Sequence, residues 1–399
     1  MTAARPRVRL TKPLRERIRA GHPWLYDKAV GRIEARAGEV VAIADDHGDV
    51  CAAFADPESP IRARVLDLDA TAAIDDAWAT ARAEAASARR TRDPLLVGCT
   101  GVRLIHGEAD GCPGLVVDAY AGTAVCVFDG PAAGAFWRPR LPAVLAGLER
   151  GGAELEHAWL RDRGQRSGPR DAQRPKTGEA LRGDPPAEIV ISEDEARFAV
   201  DVRAGQKTGF FLDQRDNRRL VRRHAAGATV LNVFSYTGGF SLHAALGGAA
   251  AVTSVDVAQP AIAGLARNLE LSALPAQEAV AEDAFGFLAR SARQQRAWDL
   301  VVVDPPSFAP SERAKGAALA AYRKLVVAAL DVVAPGGRFA LASCSSHVTE
   351  ADLLDVVASI GRELRALRLR SATGAASDHP VLPAFPEGRY LKFLFFDVG

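Results

Sequence analysis

Four polar stations stand where short apolar runs end in the second half of the chain. They are Asp256, Asp283, Asp304-Pro305-Pro306-Ser307-Phe308 and Ser343-Cys344-Ser345. Carboxylates accept hydrogen bonds, and a cysteine becomes a nucleophile once ionised. Asp256 suits a ribose diol and Asp283 the amino group of an adenine. Asp304 is followed by two prolines that rigidify the chain, which suits a planar base bearing an exocyclic amino group. Cys344 lies in a turn between two serines and brings a further chemistry. Cytosine C5 is too poor a nucleophile to attack a methyl sulfonium directly. A thiolate adding at C6 makes C5 enamine-like, so that C5 takes the methyl group, loses its proton and releases the thiolate. On that route Asp304 would hold N3 and the amino group of the base. The Asp-Pro-Pro-aromatic pattern equally suits methylation of a purine nitrogen, with Cys344 as a buried structural residue. The residues leave both routes open. A non-catalytic RNA-binding or assembly factor is the third reading, and it has no need of four such stations.

The elements that must position these residues begin at Val230. Val230–Phe234 is an apolar strand-forming run, Ser235-Tyr236-Thr237-Gly238-Gly239 a turn, Phe240–Leu246 a periodic helical segment and Ala251–Val255 a second strand ending in Asp256. Strand, glycine turn, helix, strand and acid make half of a nucleotide-binding α/β sheet. The turn departs from the strict G-x-G-x-x-G spacing and offers no phosphate-gripping lysine. A phosphate-free nucleoside such as S-adenosylmethionine (SAM) is therefore expected over a dinucleotide. Helices at 260–271, 284–293, 314–334 and 349–363 alternate with strands at 277–281, 299–303 and 338–342. A reversed pair near 367–370 and 391–397 closes the sheet. This is the seven-strand plan of a class I methyltransferase, with the ligand crevice outside the carboxyl ends of the strands.

Upstream, the chain divides into a β-rich domain over 1–72, a linker helix with a small α+β domain over 73–190, and the methyltransferase domain over 191–399. The first should hold strands at Val8–Leu10, Val40–Ala44, Val50–Phe54 and Ile61–Leu66. A linking helix is expected over Asp75–Arg92, then strands within Gly101–Tyr120 and at Thr123–Asp129, one helix over Ala132–Leu148, and a strand at Ala158–Arg161. Arg161–Pro186 lacks periodicity and reads as a loop or hairpin rich in basic residues, and so as either a solvated linker or an RNA contact. With a net charge of +1 over 399 residues the protein is no bulk polycation. Local basic runs at residues 1–19 and at Arg215, Arg218, Arg219, Arg222 and Arg223 would be either solvated faces or contacts to a phosphate backbone. Trp24, within His22–Tyr26, would either stack on an unpaired base or belong to the core. The five cysteines form no C-x-x-C pair and no metal-ligand spacing, so reduced thiols and no metal are expected. No apolar run is long enough to cross a bilayer, which sets a cytoplasmic location with no membrane partner.

Taken together, the residues resemble the large-subunit ribosomal RNA methyltransferase I family. The resemblance runs from His22-Pro23-Trp24 through Gly107–Asp118, Lys207-Thr208-Gly209 to Asn217, Asn232 to Phe240, Asp304-Pro305-Pro306 and Ser343-Cys344-Ser345. It continues at His379-Pro380, Pro386-Glu387-Gly388 and Tyr390-Leu391-Lys392. It implies an N-terminal RNA-binding PUA domain, a Rossmann-like SAM domain, 23S rRNA as partner, 5-methylcytidine as the modified base and S-adenosyl-L-homocysteine as product; a homodimer is left open. Cys344 would be the nucleophile and Asp304 would lie under the target base. Cofactor contacts are implied for Lys207, Gln214, Arg215, Asn232, Phe234, Ser235, Tyr236, Thr237, Gly238, Asp256, Asp283 and Asp304. Substrate contacts fall to Pro305, Pro306, Phe308, Trp24 and Arg219. Two features depart from the family: Ser346 stands where a glycine is usual, and the Arg161–Pro186 segment is longer and more polar.

Overall fold

The computed structural model describes residues 5–161, 178–361 and 365–399. The chain forms two compact units. The first comprises Met1–Ile191, Val200–Leu212 and Ser377–Gly388, and the second Ser192–Ala199, Asp213–Ala376 and Arg389–Gly399. These divide the chain differently from the three segments drawn on the sequence, because a late segment returns to the first unit.

The first unit opens with β1 (Arg7–Arg9), α1 (Arg15–Arg19), β2 (Trp24–Tyr26), β3 (Val40–Asp45), β4 (Gly48–Ala55) and β5 (Ile61–Asp67). The strands form a five-stranded sheet in the order β1-β3-β4-β5-β2. β4 is buried on both faces: Cys51, Ala53 and Ala55 enter one core, whereas Ala52 and Phe54 enter another built with later elements. Helix α2 (Asp76–Thr91) is capped by the Asp75 carboxylate, which accepts from the Trp78 amide at 2.9 Å. A second sheet holds β6 (Gly101–His106), β7 (Leu115–Tyr120) and β8 (Thr123–Phe128), then, beyond α3 (Pro131–Trp137) and α4 (Leu141–Arg150), β9 (His157–Arg161) and β10 (Gly178–Arg182). The single helix expected over Ala132–Leu148 is two. Pro139 and Pro142 supply no amide donor, and the chain passes through a 3-10 turn at Arg138–Arg140. Of the basic Arg161–Pro186 segment, residues 162–177 lie outside the described residues. Residues 178–182 pair antiparallel with β9.

Three of the seven cations of the N-terminal basic run are paired with acids of β3, β4 and the turn between them. Arg7 pairs with Asp49 at 2.7 Å, Arg9 with Asp46, and Arg15 with Asp45, whose carboxyl is drawn down to about 2 mainly by its hydrogen bond from Arg15.

The chain passes between the units through a hairpin of β11 (Ile189–Glu193) and β12 (Ala196–Val200). The second unit then runs α5 (Arg215–Arg223), β13 (Thr229–Val233), α6 (Gly239–Leu246), β14 (Ala251–Asp256), α7 (Gln259–Leu271), β15 (Glu278–Ala281), α8 (Ala284–Arg293), β16 (Trp298–Val303), α9 (Lys315–Leu330), β17 (Val333–Ser343), α10 (Glu350–Gly361), β18 (Leu367–Thr373) and β19 (Lys392–Val398). Its sheet has the order β15-β14-β13-β16-β17-β19-β18, with β19 antiparallel to both neighbours. Strand alternation divides the core in two. Val230, Val252, Leu300, Val302 and Phe393 pack with α5 and α6, while Leu231, Val255, Val301, Val303 and Phe339 pack with α8, α9 and α10. Helix α9 stops at Leu330, short of the 334 expected, because Val333 already pairs with Trp298 as a strand.

Among the described residues, no helix is long and apolar enough to cross a membrane.

Candidate active site

The pairing register sets the stations side by side. Val233 lies opposite Val255 and Val303, Asp256 opposite Ala281, and Val303 opposite Leu341. The residues following these partners are the glycine turn, Asp256, Asp283, Asp304 and Cys344, all at the carboxyl edge of consecutive parallel strands.

The turn after β13 is built for close approach. Phe234 and Tyr236 adopt positive φ values of 63° and 48°, and Gly238 one of 85°. A Cβ on Gly238 would meet Leu265 Cδ1 at 2.2 Å, and one on Gly264 would meet Thr237 Cγ2 at 2.8 Å. The glycines therefore let α7 lie directly against the turn. The Asp256 carboxylate accepts from the Tyr236 amide at 2.8 Å and the Ala258 amide at 2.9 Å, while the Ser235 amide donates to Val255. Asn268 of α7 donates to the Thr237 carbonyl and accepts from the Ala199 amide, both at 2.8 Å. Thr237 Oγ1 is buried without a hydrogen-bond partner among the described residues. An orphaned hydroxyl beside a glycine pair is an opening for a ligand's polar group. Asp283 is exposed and caps α8 through the Gly286 amide at 3.0 Å. Val257 and Phe285, 75% and 38% exposed, each sit one or two residues beyond an acidic station. The sequence reading singled out neither of these exposed apolar residues, although each adjoins a residue it had singled out.

At the end of β16, the half-buried Asp304 accepts from Gln214 Nε2 at 2.9 Å. Gln214 in turn accepts from Asn217 at 2.6 Å, and Asn217 accepts from Thr373 at 2.6 Å. This relay fixes the carboxylate's orientation. Pro305 is buried, Pro306 exposed, and the Phe308 ring lies 5.0 Å from that of Tyr322. The loops after β16 and β17 are knitted together: Ser307 and Ser345 hydroxyls are 2.9 Å apart, and the Ala309 amide donates to Ser345 Oγ. Tyr322 donates to Ser343 Oγ at 2.8 Å. Cys344 is half-buried in this frame and forms no disulfide. Lys392 donates to the Ser345 carbonyl at 2.5 Å and the Tyr390 carbonyl at 2.9 Å.

Several expected contacts are corrected. Asn232 is buried inside the sheet and gives its amide to Ser241, which bonds Ser254, so it supports the β13–α6 packing. Arg215 is fully buried with its Nε 3.7 Å from Glu193, and Arg218 pairs with the same carboxylate at 2.5 Å. Burial pushes Glu193 up, but the charge and hydrogen bond of Arg218, with His243 at 2.9 Å, outweigh it and hold the carboxyl well below the usual range. Arg219 is gripped by Asp194 at 2.6 Å and Asp216 at 3.2 Å, and Arg222 by Glu195 at 2.5 Å. The arginine cluster is therefore a clamp on the Glu193-Asp194-Glu195 hairpin and no open basic face. Trp24 belongs to the first unit's packing: its indole N–H donates to Glu108 at 2.8 Å, and its ring lies 4.6 Å from Phe385 with Arg64 above it. The Lys207 ammonium lies 4.4 Å from the Phe211 ring centre.

Comparison with known proteins agrees with this geometry. The S-adenosylmethionine-dependent methyltransferase family matches residues 103–385, and a PUA-like domain matches residues 8–68. A Deinococcus radiodurans protein named ribosomal RNA large subunit methyltransferase is 40% identical over 415 residues, covering 100% of this chain and 98% of its own. A Klebsiella pneumoniae ribosomal RNA large subunit methyltransferase I is 35% identical over 397 residues, covering 97% of both chains. The crystal structure of a protein assigned as a methyltransferase and complexed with SAH has a TM-score of 0.84 at 21% identity, covering 99% of this chain and 100% of that one.

Proposed function

Since the chain belongs to the large-subunit ribosomal RNA methyltransferase I family of SAM-dependent enzymes, we propose that it methylates C5 of a cytidine in 23S rRNA, in the cytoplasm, through a covalent bond from Cys344. SAM, when bound, supplies an electrophilic methyl group and leaves as S-adenosylhomocysteine. The Phe234–Gly238 turn with Thr237 Oγ1 would hold its polar end, Asp256 its ribose diol, and Asp283, Val257 and Phe285 its adenine.

The observation that carries the reading is the pairing of two loops. The loop holding Asp304 and the loop holding Cys344 are joined through Ser307 and Ser345, at the ends of adjacent strands. A planar base against the first thus lies beside the thiol of the second. Asp304, oriented by Gln214, would hold N3 and the amino group of the cytosine. The Cys344 thiolate would then add to C6, and the electron pair displaced from the C5=C6 bond gives C5 the nucleophilicity to accept the methyl group. Loss of the C5 proton restores that bond and expels the thiolate. Tight packing of the two loops keeps thiol and carboxylate in fixed relation, the main condition for such an addition.

The test is methylation of 23S rRNA fragments with labelled SAM by the wild type and by Cys344→Ala, with mass spectrometry of the nucleosides. 5-Methylcytidine from the wild type and none from the variant is expected. A fully active Cys344→Ala would make the thiol structural and move the reading to a purine nitrogen.

A further inference from the structure

Lys392 is the first residue of β19 and stands in an otherwise apolar run, Leu391 to Phe396. It pairs across the sheet with Ser343, the residue before Cys344, and its side chain is only 5% exposed. Both hydrogen bonds of its ammonium go to backbone carbonyls, of Ser345 and Tyr390. Among the described residues it makes no ion pair with a carboxylate. Four other deeply buried cations differ. Arg64 has Glu108 and Asp129, Arg90 has Asp110, and Arg215 and Arg218 share Glu193. The acid whose charge reaches Lys392 from α10, Asp352, is already bound to Lys315 at 2.8 Å and to Thr349. Across the same pocket, α9 presents Tyr322, bonded to Ser343. A buried ammonium lacking an anion is costly to keep. It is retained here on the two residues that flank the thiol.

We propose that Lys392 is the built-in counter-charge of Cys344, fixing the Ser343–Ser345 turn through the Ser345 carbonyl and stabilising the thiolate both before addition to the base and as it leaves. The proposal rests on the reading of Cys344 as the nucleophile. Burial draws the Lys392 ammonium down to about 8, against the opposing pull of Cys344 and Asp352. Lys392 is thus a positioning residue: it acts on the base only through the sulfur.

The experiment measures alkylation of Cys344 by iodoacetamide against pH in the full-length protein, read on the Cys344 peptide by mass spectrometry. The wild-type midpoint is expected at least one pH unit below the ordinary thiol value of about 8.5. Lys392→Met should raise that midpoint by about one unit or more, cutting reactivity at neutral pH about tenfold, and Lys392→Arg should restore most of it. SAM binding by each variant, measured calorimetrically, reports folding. A midpoint unmoved in folded Lys392→Met overturns the proposal. Should that variant not fold, a wild-type midpoint at or above 8.5 overturns it alone. The nucleophile reading is judged separately by methyl transfer in Cys344→Ala, so the two can fail independently.

Discussion

Gly238 is the residue on which the cofactor turn depends most. Its φ of 85° is one that a side chain adopts only with strain, and a Cβ there would stand 2.2 Å from Leu265 Cδ1. Gly238→Ala should cost roughly 1–3 kcal/mol locally and push α7 off the turn. SAM affinity by calorimetry should fall at least tenfold, whereas Gly227→Ala, in open space on a surface turn, should leave it unchanged. A second residue sets an acid limit on the first unit. Burial above all, with the charges of His379, Arg103 and Arg90, holds the His106 imidazole well below its ordinary value. His106 is therefore neutral in the fold and charged in the unfolded chain below about pH 6.5. A depressed folded value means that its stability contribution is complete above that pH and is lost as pH falls. Urea midpoints followed by tryptophan emission should decline from about pH 6.5 downward, and His106→Asn should flatten the decline. Four of the five tryptophans, Trp24, Trp78, Trp137 and Trp159, report on the first unit.

Among the elements, α5 and the β11–β12 hairpin form the unit most easily misread. The arginines at 215, 218, 219 and 222 fall on a helix, and a linear view shows only their charge. The acids that neutralise them, Glu193, Asp194 and Glu195, lie some twenty residues upstream in a hairpin turn. Glu193→Ala should cost about 3–5 kcal/mol in denaturant unfolding, because Arg218 and Arg215 stay buried without their anion. Arg222→Ala, which breaks a largely exposed pair, should cost about 1 kcal/mol or less. Arg219→Ala should leave the salt slope of RNA binding unchanged. The sheet itself was legible: β13, β16 and β19 follow the apolar runs within a few residues, because a strand buried on both faces is a near-continuous hydrophobic stretch. The stations were legible as polar or nucleophilic residues lying within two positions of a strand's end. What the chain could not reveal were partners set by tertiary contact. Asn232 reads as part of the cofactor turn, yet its amide closes on Ser241 and Ser254. Asn268 and Tyr322 carry no motif, and Lys392 was singled out only within Tyr390-Leu391-Lys392, although a lone lysine in the apolar run of β19 was a signal available in the sequence.

At the scale of the whole molecule, the residue ranges of the family matches suggest a PUA-like module at 8–68 that could be removed from the rest. The packing argues otherwise. β4 serves two cores at once, with Phe54 stacked on Phe136 at 5.2 Å, in a cluster that also holds Leu115, Trp137 and Leu145. From β5, Arg64 reaches Glu108 at 2.7 Å and Asp129 at 2.8 Å. A chain beginning at residue 73 would expose that cluster to water and leave Glu108 without its cation. Exposed apolar area of this kind drives association, so the truncated protein should be recovered mainly as aggregate, with no cooperative melt for the first unit. Phe54→Ala in the full chain isolates the same contact and should cost about 3–5 kcal/mol. If residues 73–399 instead stay soluble and melt as the intact protein does, and Phe54→Ala is silent, then β4 has one core and the two sheets fold independently. The shared burial of Ala52 and Phe54 makes that outcome the harder one to reach.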